Sequence, residues 1–414
     1  MTNNAASLYD RGMNEQLSLK LTIDAGRYFT PNAPIDARAL FAGRHEQLFG
    51  VLDAVHQKGQ HVVLYGERGV GKTSLSSVIS QFLDVTPILC PRVNCDSTDT
   101  FGSVWSKLFR EIDMVTEQPV PGFGKSVTQS RMSASDFFQD GQAPNDVRKA
   151  LERLSMDRLP ILILDEFDRL APSEKGVFAD LVKMLSDHAV KATVVLVGVA
   201  DSVDELIAEH ESVERALVQI RLPRMSQAEI RQIIENGVSQ LELRAEETAM
   251  DRIVLLSQGL PHYAHLLGLH AVRSAATGEH PDLVQSSDVD QAIRRALANA
   301  QQSIRNAFHT ATTSPRPDNL YREVLCACAV AKIDELGYFA AADVRDSIQR
   351  ITGRNYGIPA FARHLNEFCS EKRGKILQRF GTPRRYRFRF RNPLMQPFTI
   401  MNGLNSEILN HKML

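Results

Sequence analysis

His61-Val-Val-Leu-Tyr-Gly-Glu-Arg-Gly-Val-Gly-Lys-Thr-Ser74 is the stretch on which the reading of this chain turns. Val62 to Tyr65 form a β-branched apolar run that opens into Gly66-x4-Gly71-Lys72-Thr73. Leu75, Val78, Ile79 and Phe82 then follow at helical spacing. Strand, glycine-rich loop and helix in that order are what a nucleoside triphosphate site requires. The glycines let successive backbone N–H groups point at phosphate oxygens, and the start of the next helix adds its positive end. On this reading Gly66, Glu67, Arg68, Gly69, Val70, Gly71, Lys72, Thr73 and Ser74 wrap the phosphates of ATP. Lys72 reaches the β- and γ-phosphates and the Thr73 hydroxyl ligates Mg²⁺. Gly122-Phe-Gly-Lys-Ser126 imitates part of this motif, but Pro119 stands where the first glycine belongs and no strand precedes it, so it reads as a loop.

The second decisive stretch is Ile161-Leu-Ile-Leu-Asp-Glu-Phe-Asp168. Four consecutive apolar residues predict a strand buried on both faces, as in a parallel sheet. Asp165 and Glu166 fall at its C-terminal end, where ligands sit in open α/β sheets. Asp165 is expected to hold Mg²⁺ and Glu166 to act as the base on the attacking water; the bland alternative is a solvated turn. Further strands are predicted over 88–94, 193–198 and 218–222, and helices over 101–115, 146–156 and 176–188. Strands alternating with helices give an α/β fold, a three-layer parallel-sheet P-loop ATPase core. Residues 116–144, broken by Pro119, Pro121, Gly122, Gly124 and Gly141, read as a long surface insertion.

The chain has 414 residues, enough for two or three domains. Its net charge of −1 excludes a globally basic nucleic-acid binder, so any such activity is local. Five cysteines without metal-ligand spacing suit reduced thiols, and no run approaches a membrane span or a signal sequence, so a cytoplasmic protein is expected. The domains predicted are an N-terminal arm (1–34), the ATPase core (35–225), a helical lid (226–313) opened by the capping box Ser226-Gln-Ala-Glu229, and a proline-rich linker (314–319). A C-terminal domain (320–400) and a tail (401–414) follow. Within 320–400, three helices and a hairpin read as a winged helix. Ile358, Phe361, Leu365 and Phe368 form the buried stripe of its third helix, leaving Arg363 and His364 outward. From Lys372 to Arg391 there are nine Lys/Arg and no Asp or Glu. Alternation in Arg385-Tyr-Arg-Phe-Arg-Phe-Arg391 puts aromatics on one face and arginines on the other. Arg384, Arg385, Arg387 and Arg389, with Arg363 and His364, are the expected DNA contacts; the alternative for that face is an acidic protein surface.

Phe41-Ala-Gly-Arg44, the glycine-rich loop, Leu164-Asp-Glu166, and Arg215 followed by Ile220-Arg-Leu-Pro223 together resemble the initiator-type, origin-recognition-like clade of AAA+ ATPases with a C-terminal winged helix. The chain is also similar to transposition-helper and signal-transducing ATPases. The resemblance implies that Phe41 and Arg44 lie on the adenine lip, although a plain cover for the sheet would use the same segment. It implies that Arg215 is an arginine finger for a neighbouring subunit, with Arg221 and Arg224 as rivals and a surface arginine as the bland reading. Where the family places a sensor arginine, Gly259-Leu-Pro-His262 has His262, which also suits a core histidine. The strand end at Gly198-Val-Ala200 offers no polar sensor. Two functions stay open: an ATP-driven, oligomerising switch on DNA, working as a homo-oligomer or with a partner ATPase, and a signalling or defence-type ATPase whose winged helix binds a partner protein. A small-molecule kinase ranks third, because no acceptor site is recognisable.

Overall fold

The computed structural model describes residues 18–31, 33, 42–83, 88–119, 127–137, 143–207, 211–316, 319–334, 336–383 and 385–414. Phe41, Arg384, Gly122–Ser126 and the first part of the expected arm lie outside the described residues. A helix, α1 (18–28), opens them, and α2 (His45–Val55) covers one edge of the sheet. The core then runs β1 (His61–Gly66), α3 (Lys72–Leu83), β2 (Ile88–Leu89), β3 (Arg92–Asn94), α4 (Phe101–Arg110), β4 (Asp113–Pro119), β5 (Val127–Ser133) and α5 (Pro144–Leu154). It continues through β6 (Leu159–Asp165), α6 (Pro172–Asp187), β7 (Thr193–Val199), α7 (Val203–Leu206), α8 (Glu211–Glu214) and β8 (Leu217–Arg221). The central sheet has the order β2–β6–β7–β1–β8, with β3 also on β6, and every pair is parallel.

Alternation along the strands builds two cores. Val62, Leu64, Ile161, Ile163, Val195 and Val197 face α3 and the helices beyond. Val63, Leu162, Leu164, Val194 and Leu196 face α4, α5 and α6. All eleven side chains are inaccessible to solvent, and each contributes roughly 1.5–3 kcal/mol of burial. Phe101 and Trp105 of α4 lean on Phe178 of α6, the first with ring centroids 4.8 Å apart. The expected single strand over 88–94 is divided at Pro91, which has no N–H for a ladder bond. Residues 116–144 are not a structureless insertion: β4 and β5 pair antiparallel from Asp113↔Ser133 to Pro119↔Val127.

Beyond β8 the chain is mostly helical: α9 (Gln227–Gln240), α10 (Glu247–Ser257), α11 (Pro261–Ala275), α12 (Ser286–Ala298) and α13 (Gln302–Thr312), with the small parallel pair β9 (Arg244–Ala245) and β10 (Leu283–Val284). Ser226 caps α9 through the Glu229 N–H, and Glu229 returns to the Ser226 N–H at 2.8 Å. Phe29, fully buried, pushes its ring between α9 and α11. A Cβ on either Gly237 or Gly268 would collide with that ring. The end of the expected arm is therefore wedged into the helical bundle.

The C-terminal unit contains α14 (Tyr321–Ala329), β11 (Phe339–Ala340), α15 (Ala341–Thr352), α16 (Ile358–Phe368), β12 (Leu377–Phe380), β13 (Arg387–Phe390) and α17 (Met395–Asn405). Its sheet is antiparallel in the order β11–β13–β12. The expected boundary between residues 400 and 401 runs through α17. Phe398, Ile400 and Met401 of that helix are buried, and Pro397 sits in its first turn, where no N–H is needed.

Candidate active site

The loop after β1 takes its shape from backbone that other residues would not adopt. Gly66 (φ 154°) runs so close to the Leu222 carbonyl that a Cβ would collide with it, and a Cβ on Gly69 (φ 88°) would stand only 3.2 Å from Leu394 of the C-terminal unit. The chain then enters α3 at Lys72, whose Nζ donates to the carbonyls of Gly66 (3.0 Å) and Glu67 (2.8 Å). Burial lowers the Lys72 pKa to about 8, and the charges of Asp168, Asp165 and Glu67 oppose the shift. A phosphate would offer this ammonium a better partner than two neutral carbonyls.

Asp165 ends β6 almost wholly buried. Its Oδ2 accepts from Ser76 Oγ (3.0 Å) and lies 3.8 Å from Arg92 Nη1, while its Oδ1 accepts from the Glu166 N–H (2.9 Å). Burial comes first among the causes and raises its pKa. Glu166 adopts a left-handed conformation (φ 56°), and Arg169 Nη1 donates to its Oε2 at 2.7 Å. Both side chains are about half exposed, so the pair is a weak tether. Asp168, two residues on, is held separately: its Oδ1 accepts from the Val199 N–H at 2.8 Å.

A cavity of about 790 Å³, within the range of small-molecule sites, brings Lys72, Thr73, Asp165, Glu166, Arg44 and His262 onto one surface. The residues present fit a nucleotide and its cation: a ring of loop amides, a lysine, and two hard oxygen donors in Thr73 and Asp165. Arg44 is buried and serves as a brace, donating from Nη2 to the carbonyls of Pro223 and Val70 (3.3 Å to the latter), while its N–H bonds Glu229 at 3.1 Å. His262 shares a 2.7 Å hydrogen bond with the Pro31 carbonyl; burial lowers its pKa, so it lines the pocket as a neutral ring near neutral pH. His265, which no sequence pattern singles out, accepts the Thr30 N–H at 3.3 Å and lines the same pocket.

Arg215 is not part of this surface. It is exposed, beside Gln60 at the end of the sheet where β1 begins, because β8 pairs with β1 through His61↔Leu217. The rival Arg224 is committed elsewhere: Nε donates to Glu67 (2.5 Å), and Nη1 to Gln396 (2.6 Å) and to the Gln258 carbonyl (3.3 Å). One guanidinium thus joins the glycine-rich loop, the helical bundle and the C-terminal unit. Those partners are 157, 34 and 172 residues away in sequence, so no local pattern announces them.

The arginine face of β13 departs from its expected openness. The alternation holds, with Phe388 and Phe390 buried, but two arginines of the opposite face are paired within the chain, and Arg389 reaches the core. Arg389 forms two hydrogen bonds to the carboxylate of Asp201, one of 2.7 Å, and stands 4.8 Å over the Tyr338 ring. Arg387 pairs with Asp334 at 2.8 Å. Arg385 is exposed, and Arg363, also exposed, pairs with Glu367 of its own helix at 2.7 Å. His364 does not face outward; it is partly buried, its ring 4.7 Å from that of Tyr321.

Residues 55–207 match the protein family described as AAA domain. No curated protein matches the chain. Among solved structures, the chain is similar to a Walker-type ATPase of Pyrococcus abyssi, at 15% identity over 90% of this chain and 99% of that one, with a TM-score of 0.49. It is similar to the Cdc6p protein from Pyrobaculum aerophilum at 18% identity over 93% and 99%, with a TM-score of 0.46. It is also similar to the Aeropyrum pernix ORC1 protein in complex with DNA, at 15% identity over 92% and 97%, with a TM-score of 0.45.

Proposed function

Since the chain carries an AAA-type P-loop ATPase domain over residues 55–207, we propose that it is an ATP-driven switch acting on DNA, its C-terminal unit being a winged helix. One observation supports this reading above the rest: Arg224 ties Glu67 of the nucleotide loop to Gln396 of the C-terminal unit. A change at the phosphates thereby has a short physical route to the C-terminal unit.

In the hydrolytic cycle Lys72 binds the β- and γ-phosphates, and Thr73 and Asp165 hold Mg²⁺. The cation, when bound, neutralises charge on the phosphates. Glu166 leaves Arg169 and takes the proton of the attacking water. Arg215 stands at the far end of a six-residue strand from the loop, roughly 20 Å away, and so would serve a neighbouring subunit rather than its own. That makes a homo-oligomer, or assembly with a partner ATPase, part of the proposal. No described helix is long and apolar enough to cross a membrane, and a cytoplasmic setting completes the reading.

Lys372 and Arg385 are exposed, and Arg363 is exposed although paired with Glu367 of its own helix, so the three can still face a phosphate backbone. Replacing the three with Glu is expected to collapse DNA affinity while ATP hydrolysis persists. In the unmutated protein, three such contacts alone would lose roughly forty-fold in affinity between about 50 and 200 mM salt. The occupied Arg387 and Arg389 favour a second reading, in which the C-terminal unit binds a partner protein. A DNA titration unchanged by the triple charge reversal, with circular dichroism confirming the fold, would select it.

A further inference from the structure

The cavity holds a carboxylate that neither the glycine-rich loop nor the Asp165–Glu166 pair explains. We propose that Asp168 is a positioning residue for the attacking water, acting beside Glu166; the proposal rests on the assignment of Glu166 as base.

Four observations place it there. Phe167 is fully buried and anchors the short turn Phe167–Arg169, which follows the left-handed Glu166. Glu166 is held by Arg169, and beside it in the wall of the same cavity stands Asp168. Its Oδ1 is held by the Val199 N–H, which ties this loop to the end of β7 at 2.8 Å. The neighbouring Gly198 admits no side chain: a Cβ there would collide with Leu206 and stand 3.0 Å from Asp168 Oδ1. The polar group that the end of β7 lacks is therefore supplied, in the same space, by the loop after β6. Finally, Asp168 and Lys72 line the same cavity, and of the charges acting on Lys72 that of Asp168 is the strongest.

Asp168 has one oxygen anchored to backbone and the other without a hydrogen-bond partner among the described residues. Such a carboxylate can accept a hydrogen bond from a water and fix its direction. In the hydrolysis the water oxygen bonds to the γ-phosphorus as the bond from that phosphorus to the β-bridging oxygen breaks. One proton of the water passes to Glu166. The other remains on the new phosphate oxygen, directed until then by Asp168, which gains no proton.

Asp168→Asn separates this role from a structural one, because its amide oxygen still accepts from Val199 while the charge and the second acceptor are lost. The expected result is a kcat lower by about 10–100-fold, with unchanged melting temperature and with affinity for a non-hydrolysable ATP analogue, measured with and without Mg²⁺, within about threefold. Asp168→Ala should show the same kcat loss and a lower melting temperature, and Asp168→Glu should restore part of the rate. A wild-type kcat in the Asn variant, with loss confined to Ala, would reduce Asp168 to an anchor and overturn the proposal. So would an Asn variant whose analogue affinity falls as far as its kcat. Glu166→Gln run in parallel keeps the underlying assignment separate: if that variant alone hydrolyses at the normal rate, the assignment of the base fails, not the placing of Asp168.

Discussion

The glycine-rich loop and the arginine strand β13 are both short, strongly patterned stretches, and they meet opposite fates. Lys72 is held by carbonyls five and six residues away, so its hydrogen-bond partners are written into the same fourteen residues that name it. Arg389 is held by Asp201, 188 residues away. Alternation correctly assigns the faces of β13, aromatic inward and arginine outward, yet cannot say what stands opposite the outward face. A local pattern fixes direction; only the tertiary fold fixes company. Charge that reads as free for a partner can be spent within the chain.

The largest expected effect falls where company is local. Lys72→Ala should weaken ATP binding by at least about a hundredfold, the scale of a lost charge-assisted contact. Equilibrium binding of a fluorescent ATP analogue reads this directly, and retention of wild-type affinity would break the comparison at its stronger end.

Arg224→Ala comes next. It leaves the Glu67 carboxylate and the Gln396 amide of two different units partly buried without their shared partner, at a cost of about 1–3 kcal/mol. Chemical denaturation should show the loss, and a double-mutant cycle with Glu67→Gln should show that most of it is coupling. Additive effects would mean that the contact carries no coupling between the units.

The smallest effect belongs to β13. Asp201→Asn with Arg389→Gln removes both charges of a pair whose side chains are 29% and 17% exposed, and should change stability by only about 0.5–1 kcal/mol. The same double variant should loosen the C-terminal unit from the core, which limited proteolysis between the two would register. Proteolysis unchanged by it would show that Arg224 and the apolar contacts alone hold the units together.

The nucleotide core is legible because its signals are local: apolar runs of sheet length, glycines at the loop, two carboxylates at a strand's end. Position alone puts Asp165 and Glu166 at the end of β6, whereas the geometry of Asp168 depends on Val199 and Gly198 from another strand. Prolines and glycines in 116–144 suggest a loop, but the hairpin β4–β5 ends on Pro119 and so loses no interior ladder bond to it. The boundary expected at 400 divides α17, whose Pro397 stands in the first turn, where a proline opens a helix instead of closing one.

The ring of Phe29 shares one small volume with Gly237 and Gly268. Three positions, from three separate stretches of sequence, therefore hold a common allotment of carbon. A chain that gains a methyl group at 237 or 268 has to shed atoms at 29 to keep its helices where they are. Any drift of these positions across descendants of this sequence should be concerted, each enlargement answered by a contraction elsewhere in the trio.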